Sequence, residues 1–354
     1  MQPANHVLDF EAFKTRYQQV PVEEYPNRVL EAVPEPVVSV QISTYQHANF
    51  IHDCLDGVLM QETDFPIEIL IGEDESTDGT REICKAYAER HPDKIRLFLH
   101  CRENNIHIQG NPTGRFQTTY TRFMCRGTYV AFCEGDDYWT DPLKLQKQVD
   151  GLECTPEAVV ACHGASVIDA EGNQLKERKL PSELQRDHTA QELREGAFLL
   201  TLSLCFQNVI DTYPVEYFSV LNGDTFLISL LGHHGSAIFT EDVRPAAYRL
   251  HERGIWGGIS GLQKAVAQFN TYTELNKCYL RTKYKREARV HFIKSVNLGL
   301  QLCSHYAQND DAGRAAEYFT GIIVSCIVND EHKLVNELVN GSLNHIAQRL
   351  SSSQ

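Results

Sequence analysis

Short runs rich in apolar and β-branched residues alternate with helical patterns in the first half of the chain. The runs at 37–44, 67–71 and 129–133 are typical of strands that are buried on both faces of a parallel sheet. Between the first two runs, residues 49–60 place apolar side chains at the spacing of an amphipathic helix. The alternation predicts an α/β fold in which helices cover the sheet.

Beyond residue 260 the apolar spacing becomes helical and stays so. Helices are predicted at 261–282, 284–307, 311–328 and 331–349. The first 36 residues are polar and rich in proline, which predicts an extension with one short helix near Phe10 to Gln19. The expected regions are an N-terminal extension (1–36), an α/β domain (37–260) and a C-terminal helical region (261–354).

Three local patterns lie in the second half of the predicted α/β domain. The apolar run at 159–168 predicts one further strand. A capping box at 189–192 predicts a helix that extends to Leu199. Residues 236–239 and 246–250 have the pattern of two strands, and we expect them to pair as a hairpin.

The charge balance is acidic, with 33 Lys and Arg against 47 Asp and Glu and a formal net charge of −14. This composition argues against a nucleic-acid partner, because such binding depends on cations that neutralise phosphates. One basic stretch, 281–289, is compatible with contact to an anionic membrane surface. A solvated helix face is nevertheless the ordinary role of so short a charge run.

Eleven cysteines are scattered along the chain without a CxxC pair or the Cys and His spacing of a zinc site. This distribution indicates a reducing compartment. The sequence has neither a secretory leader pattern nor an apolar run of about 18 residues that could span a membrane. We therefore expect a cytoplasmic protein without a transmembrane segment, and peripheral attachment at the inner face of the membrane stays open, as does the oligomeric state.

A cluster of acids follows the apolar run at 129–133. Glu134, Asp136 and Asp137 lie at the carboxyl end of a strand, the edge where open α/β sheets bind ligands. Acids at such a turn often cap the next helix, but Asp141 already supplies that cap. Three carboxylates so close together repel one another unless a cation lies between them, and oxygen ligands suit Mg²⁺ or Mn²⁺. The cluster indicates a metal site that would bind a phosphate group.

Two other strand ends carry polar residues. The first strand ends in Thr44 and Tyr45, and the second is followed by a polar turn that contains Asp74 and Asp78. Asp78 is placed to cap the next helix, whereas Asp74 lies too far upstream to do so. A functional role is therefore favoured for Asp74.

The order and spacing of these three strand ends resemble those of the family 2 glycosyltransferases. That family has the GT-A fold, a Rossmann-like α/β sandwich that binds nucleotide-diphospho-sugars, and the resemblance covers residues 37–255. It implies an inverting enzyme of polysaccharide biosynthesis with Mn²⁺ or Mg²⁺ as cofactor. Such an enzyme would move a sugar from a nucleotide sugar, here a UDP-sugar, to a hydroxyl of a glycan or lipid-linked acceptor.

The resemblance implies roles for individual residues at the nucleotide. Thr44 and Tyr45 would line the base pocket. Asp74 would accept a hydrogen bond from a uracil-like N3–H, which only an acceptor can satisfy. Arg115 would contact the base or a phosphate, and Glu134 would lie near the ribose or a metal-bound water.

The same resemblance implies a metal site. The family's DxD-like motif corresponds to Glu134-Gly135-Asp136, with Glu where the family has Asp at the first position. Asp136 would be the main metal ligand, and Gly135 would let the backbone approach the bound nucleotide closely. His251, in a segment like the family's Tyr-Arg-x-His, would ligate the metal or donate to a phosphate. Further candidates for contact with the diphosphate or the acceptor are Asp137, Arg249 and Trp256.

Family 2 enzymes take their catalytic base from an acid that precedes or opens a helix after the metal motif. The matching residue is Asp224, beside a helical pattern at 223–232. Asp224 is also well placed to be the N-cap of a helix at 225–231, and the two roles are compatible.

Other classes of protein fit the sequence less well. A catalytically decayed nucleotide-sugar-binding or scaffold protein is the main alternative, because Glu134 departs from the family motif. Nucleotidyl transfer is disfavoured because the loop at 45–49 has no Gly, Lys or Arg to hold a triphosphate. The glycine motifs of NAD-binding and P-loop proteins are absent from the sequence.

Overall fold

The computed structural model describes residues 6–252, 254, 258 and 260–340. The chain forms two compact units. An α/β unit comprises Met1–Ser219 and Gly223–Gly258, and a helical unit comprises Val220–Asn222 and Ile259–Gln354. The α/β architecture and the helical character of the C-terminal region, both predicted from the sequence, are confirmed.

The described elements are short strands and helices of moderate length. The strands are β1 (Val7–Leu8), β2 (Glu23–Glu24), β3 (Val38–Thr44), β4 (Ile67–Glu73), β5 (Ile95–Leu99), β6 (Ile106–Ile108), β7 (Asn111–Thr113), β8 (Tyr129–Glu134), β9 (Ala158–Cys162), β10 (Ala165–Ile168), β11 (Gln174–Lys176), β12 (Cys205–Gln207), β13 (Tyr213–Pro214), β14 (Ser236–Phe239) and β15 (Ala246–Arg249). The helices are α1 (Phe10–Tyr17), α2 (Val29–Ala32), α3 (Ile51–Leu59), α4 (Thr80–Arg90), α5 (Arg115–Phe123), α6 (Lys144–Cys154), α7 (Ala190–Arg194), α8 (Gly223–Leu231), α9 (Gly261–Leu280), α10 (Lys285–Gln308) and α11 (Ala312–Val328).

A sheet of eight strands lies at the centre of the α/β unit, in the order β14-β9-β12-β8-β3-β4-β5-β2. β3 pairs in parallel with β4 and β8, and β4 pairs in parallel with β5. Val40, Ile69 and Ala131 on these middle strands are at most 1% exposed. Both faces of these strands are covered, as is usual in parallel sheets, so polar residues within them such as Gln41 and Glu68 are buried as well.

The carboxyl ends of β3, β4 and β8 meet at one edge of this sheet. Thr44 is the register partner of Glu73, and Ser43 is the register partner of Glu134. The Asp74 N–H extends the pairing by donating to the Thr44 carbonyl at 3.1 Å. The three strand ends that carry the sequence motifs are therefore neighbours in space.

Two strand predictions are wrong in their pairing. The run at 159–168 is interrupted, since β9 ends at Cys162, β10 starts at Ala165, and the two strands belong to different sheets. β14 pairs in parallel with β9, and β15 pairs in parallel with β10, so they form no hairpin. Side-chain alternation indicates which face of a strand is buried, but it does not identify the neighbouring strand.

The predicted helix after the capping box is shorter than expected. The capping box between Thr189 and Glu192 is present, but α7 ends at Arg194. Gly196 has a φ of 82°, the left-handed conformation that commonly ends helices. Leu199 therefore lies outside this helix.

The segment before residue 37 packs on the α/β unit. The predicted short helix is present as α1, and the Asp9 side chain caps it by accepting from the Ala12 N–H at 2.8 Å. Phe13 is fully buried and stacks on Phe116 and Phe218, with ring centroids 5.1 and 5.6 Å apart. β2 adds an antiparallel strand beside β5.

The helical unit has its own small apolar core, formed by Phe292, Val296, Ile322 and Cys326. Its first helix, α9, starts with a capping box at Ser260. Residues 332–340 are helical, and the rest of the fourth predicted helix lies outside the described residues. None of the helices in the described part of the chain is both long enough and apolar enough to cross a membrane.

Candidate functional site

Asp74 lies directly after β4 and is 1% exposed. Its Oδ2 accepts hydrogen bonds from Arg102 Nη1 at 2.7 Å and from Asn105 Nδ2 at 3.0 Å, whereas its Oδ1 is buried without a partner in the described structure. Burial raises the pKa of Asp74 to about 6, against the hydrogen bond from Asn105 and the charge of Arg102. A buried acceptor without a partner is costly, which is expected where a ligand supplies the missing donor.

The side chain of Tyr45 lies against the Arg102 guanidinium that binds this carboxylate. Tyr45 is 39% exposed, and the Arg102 guanidinium lies 4.0 Å from its ring centroid. Asp74, Arg102 and Tyr45 thus present an acceptor, a cation and an aromatic face at one place. Thr44 is only 2% exposed, and its hydroxyl lies 3.2 Å from His47 Nδ1. The expected contact of Thr44 with a base stays a prediction.

A second group of polar side chains converges at the end of β8. Asp136 Oδ2 lies 3.0 Å from His251 Nε2 and 3.8 Å from His47 Nε2. One candidate ligand atom from each residue lies within 4.8 Å of the other two. The three side chains are 5–19% exposed, so the cluster is accessible from solvent. Its geometry is suitable for a metal ion shared by the three residues.

The sequence brings His251 to Asp136 through the pairing of β15 with the segment after β8. Tyr138 and Ala247 form an isolated antiparallel bridge. Further along, the Arg249 N–H donates to Asp137 Oδ1 at 2.7 Å. These contacts fix the register, and they place His251 against the metal motif although the two are more than 100 residues apart in sequence.

The Arg249 guanidinium is 4% exposed and is engaged by its surroundings. It donates to the carbonyls of Asp136 and Ala170 at 3.0 Å each, and it forms an ion pair with Asp53 at 2.7 Å. Asp137 is likewise 4% exposed. Both residues hold the motif in place, and their expected contact with a diphosphate or an acceptor stays a prediction.

Gly135 is required by a close approach within the protein. A β-carbon at this position would lie 2.6 Å from Thr44 Oγ1 and 2.8 Å from His47 Nδ1. The sequence suggested that the glycine makes room for the bound nucleotide. The structure shows that it makes room for the side chains of Thr44 and His47, and its contact with a nucleotide stays a prediction.

The carboxylates at the metal motif have different electrostatic environments. Burial raises the pKa of Glu134 to about 8, and the charges of Asp136 and Asp224 act in the same direction. Burial also acts to raise the pKa of Asp136, but the hydrogen bond from His251 and the charge of His47 outweigh it and hold the pKa below its ordinary value. Asp136 is thus the carboxylate that stays ionised most readily.

Asp224 lies in the first turn of α8 and is half-buried. Since α8 begins at Gly223, Asp224 is inside the helix, and the N-cap role considered from the sequence is wrong. Burial raises the pKa of Asp224, and the charge of Arg115 opposes this shift. The charge of Asp224 also raises the pKa of Glu134, so the predicted base lies close to the metal motif.

Arg115 lies beside the N-terminus of α8. Its Nη1 donates to the Tyr217 hydroxyl at 3.0 Å, and its guanidinium lies 4.6 Å from that ring's centroid. A β-carbon on Gly223 would overlap the guanidinium, which is therefore packed directly against the backbone next to Asp224. Contact of Arg115 with a base or phosphate stays a prediction.

Three residues at the site were missed from the sequence: His47, Arg102 and Asn105. His47 lies in the loop at 45–49, which the sequence analysis considered only for its lack of glycine and cations. A histidine in the loop after a motif strand was a usable signal. Arg102 and Asn105 follow β5, and no pattern in the sequence links that segment to Asp74. Trp256, expected to stack on a sugar, lies outside the described residues.

Comparison with known proteins identifies the class of the α/β unit. Residues 39–208 match the model of glycosyl transferase family 2. This segment is of the family 2 glycosyltransferase type. The resemblance noted from the strand-end motifs is thereby confirmed, and with it the GT-A fold class. Asp224, Arg249 and His251 lie beyond the matched segment, so their assignment depends on the geometry described above.

The chain is also similar to other proteins of known sequence. An uncharacterized protein of Mycobacterium tuberculosis (strain H37Rv) is 35% identical over 221 residues, 62% of this chain and 60% of the relative. The chain thus spans about three fifths of the length of that relative. An uncharacterized glycosyltransferase of Nostoc sp. (strain PCC 7120) is 34% identical over 132 residues, 37% of each chain.

Among solved structures, the chain is similar to a mannosyltransferase of Pyrobaculum calidifontis, PcManGT, solved in complex with GDP-Man and Mn²⁺. The TM-score is 0.49, with 16% identity over 92% of this chain and 89% of that one. A likeness at this level carries no argument about the ligands of the present chain.

Proposed function

We propose that this protein is a metal-dependent inverting glycosyltransferase. It transfers a sugar from a nucleotide sugar, a UDP-sugar, to a hydroxyl group of a glycan or lipid-linked acceptor. The observation that carries the proposal is the position of two unlike sites at one sheet edge. Asp74, with its unpartnered Oδ1, follows β4, and the Asp136–His251 pair follows β8, on the other side of β3.

The first site is suited to a uracil base. The buried Oδ1 of Asp74 offers an acceptor to the base N3–H, and the exposed ring of Tyr45 offers a surface for stacking. Cytosine and adenine have no ring N–H at the equivalent position in their neutral forms, so an acceptor at this place favours uracil, thymine or guanine over them.

The second site is suited to a divalent metal ion. Asp136 is held ionised beside His251, and the neighbouring Glu134 has a buried Oε2 that lacks a partner in the described structure. Carboxylate and imidazole are established ligands of such ions. When bound, the ion would neutralise the negative charge of the departing diphosphate.

Asp224 is the proposed general base. Its carboxylate accepts the proton of the acceptor hydroxyl while that oxygen forms a bond to the anomeric carbon. The bond from this carbon to the diphosphate oxygen breaks, a nucleoside diphosphate leaves, and the configuration at the carbon inverts. Burial raises the pKa of Asp224, which makes it a stronger base than an exposed aspartate.

A donor screen followed by a turnover assay tests the proposal. UDP-, GDP- and dTDP-sugars are compared by thermal shift with Mn²⁺ present, because a ligand that binds only the folded protein raises its melting temperature. UDP release is then measured with a panel of glycan and lipid-linked acceptors, and the anomeric configuration of the product is determined. Stabilisation by UDP-sugars without turnover on any acceptor would favour the alternative of a non-catalytic binding protein.

A further inference from the structure

We propose that His47 is a third protein ligand of the metal ion and that the resulting site prefers Mn²⁺ to Mg²⁺. The inference rests on the proposed function in one respect only, the presence of a divalent ion at Asp136. It goes further because it adds a ligand from the loop after β3 and derives the identity of the ion from the ligand set.

The distances from Asp136 to the two histidines fit a shared ion. Two ligands that are each about 2.1 Å from one ion lie between ~3 and ~4.2 Å apart, depending on the angle between them. Asp136 Oδ2 is 3.0 Å from His251 Nε2 and 3.8 Å from His47 Nε2. The second distance is too long for a hydrogen bond, so Asp136 gives His47 no direct partner on that nitrogen.

The imidazole of His47 is held in the orientation that a ligand requires. Its Nδ1 lies 3.2 Å from Thr44 Oγ1, and in the tautomer that donates this bond Nε2 is left with a free electron pair toward Asp136. Metal-binding histidines characteristically donate their other ring N–H in this way. Because Gly135 has no side chain, the imidazole can occupy this position.

The backbone of His47 is fixed as well. Its N–H donates to Thr80 Oγ1 at 2.8 Å, and the Thr80 hydroxyl donates to Asp78 Oδ1 at 2.6 Å. Asp78 Oδ2 in turn accepts from the Ala48 N–H at 3.1 Å. Gln46, just before His47, has a φ of 57° and donates its N–H to Ser76 Oγ at 2.9 Å. The loop is therefore pinned on both sides of the histidine to the N-terminal turn of α4.

Two imidazoles and one carboxylate discriminate between ions. Mg²⁺ prefers oxygen ligands in an octahedral arrangement and gives up its waters reluctantly. Imidazole suits first-row transition-metal ions, and carboxylate suits Mn²⁺. A site with one carboxylate and one histidine would leave Mg²⁺ more competitive, so His47 is the residue expected to shift the preference.

Mn²⁺ binding to the full-length chain, without nucleotide, tests the inference. The free Mn²⁺ signal in electron paramagnetic resonance gives the affinity, and pulsed measurements on the bound ion detect nitrogen couplings from its imidazole ligands. We expect His47→Gln to weaken Mn²⁺ binding by ~10- to 100-fold, the range that even outer-shell changes around metal ligands produce. We also expect it to remove one of two nitrogen couplings and to improve the ability of Mg²⁺ to compete.

Matched variants distinguish loss of a ligand from general damage. His52→Gln, an exposed histidine in the same part of the chain, should bind Mn²⁺ like the wild type. Thr44→Val retains His47 but removes the hydroxyl that fixes its tautomer, and it should give a smaller loss of affinity. Thermal unfolding of each variant confirms that the chain remains folded.

Unchanged Mn²⁺ affinity and unchanged nitrogen couplings in His47→Gln would overturn the inference, as would equal competition by Mg²⁺ in the wild type. These outcomes are independent of the proposed function. Sugar transfer by a His47→Gln protein with normal Mn²⁺ affinity would remove His47 as a ligand and leave the glycosyltransferase assignment standing. A Mn²⁺ site with two histidine ligands in a protein without turnover would support His47 as a ligand and contradict the glycosyltransferase assignment.

Discussion

Gly135 and His47 approach each other so closely that a β-carbon on Gly135 would lie 2.8 Å from the imidazole Nδ1. Real β-carbons do not come within that distance of a ring atom. The imidazole of His47 can therefore occupy its position only because residue 135 is glycine. The metal motif after β8 and the loop after β3 are thus fitted together before any ligand binds.

Replacement of Gly135 by alanine should therefore damage the metal site. The added methyl group would push His47 and Thr44 away, and we expect Mn²⁺ affinity to fall by about tenfold or more, the scale of changes around metal ligands. Titration with Mn²⁺ followed by electron paramagnetic resonance measures the loss. Gly164→Ala is the control, because a β-carbon there would meet nothing within 4 Å. Equal affinity in the two variants would show that the close approach does not matter.

Asp224→Asn should separate donor binding from transfer. The amide cannot accept the proton of the acceptor hydroxyl, so the turnover number should fall by about 10²–10⁴-fold, the usual contribution of a general base. The affinity for the nucleotide sugar, measured by calorimetry, should change little. Asp211→Asn, an exposed site, serves as the control. Turnover within a few fold of the wild type would remove Asp224 from this role.

Asp74→Asn should make the protein more stable and bind UDP less well. The folded-state pKa of about 6 exceeds the ordinary 3.8, so the native state binds this proton more tightly than the unfolded chain does. Stability from this group is therefore present at low pH and is lost as the pH rises through about 6. At pH 8 the neutral asparagine should raise the free energy of unfolding by about 1–3 kcal/mol.

Urea unfolding at pH 8 and pH 5 checks the stability half of this prediction. The difference between the Asp74→Asn variant and the wild type should shrink at the lower pH, where Asp74 is itself protonated in the native state. A variant that is less stable than the wild type at pH 8 would contradict it. Calorimetry with UDP checks the binding half, and unaltered affinity would remove Asp74 as the base-reading residue.

Two buried histidines should make the protein sensitive to acid. His100 and His163 are 2% and 1% exposed, and burial lowers the pKa of each to about 3. Because the unfolded histidines bind protons near pH 6.5, stability is full above that pH and is lost as the pH falls toward 3. As the pH falls over this range, each of the two histidines should lower the free energy of unfolding by on the order of a few kcal/mol.

Variants at these histidines allow a direct measurement. His163 Nδ1 lies 2.8 Å from the Gly164 carbonyl and donates to it, a bond that His163→Asn can retain. Urea unfolding between pH 7 and pH 4 should show a shallower loss of stability in this variant than in the wild type. His107→Asn, at an exposed position, should leave the slope unchanged. Identical slopes in all three proteins would rule out His163 as a source of acid sensitivity.

The central part of the fold could be predicted because its physical cause is local. β3, β4 and β8 are rich in apolar and β-branched residues, and the polar residues at their ends identify the ligand-binding edge. The partners of β14 and β15 could not be predicted, because many pairings bury the same side chains. His47 and Arg102 were missed for a similar reason, since their contacts depend on loop conformations that apolar periodicity does not encode.

The burial of Phe13 against Phe116 and Phe218 bears on how this protein can be shortened. The family match starts at residue 39, but the aromatic cluster around Phe13 also supports α5, the helix that begins with Arg115. A truncation at residue 39 would remove Phe13 from this cluster and expose the aromatic rings of Phe116 and Phe218 to water. The smallest independently folding form of the α/β unit therefore includes α1, some thirty residues upstream of the point where similarity to the family begins.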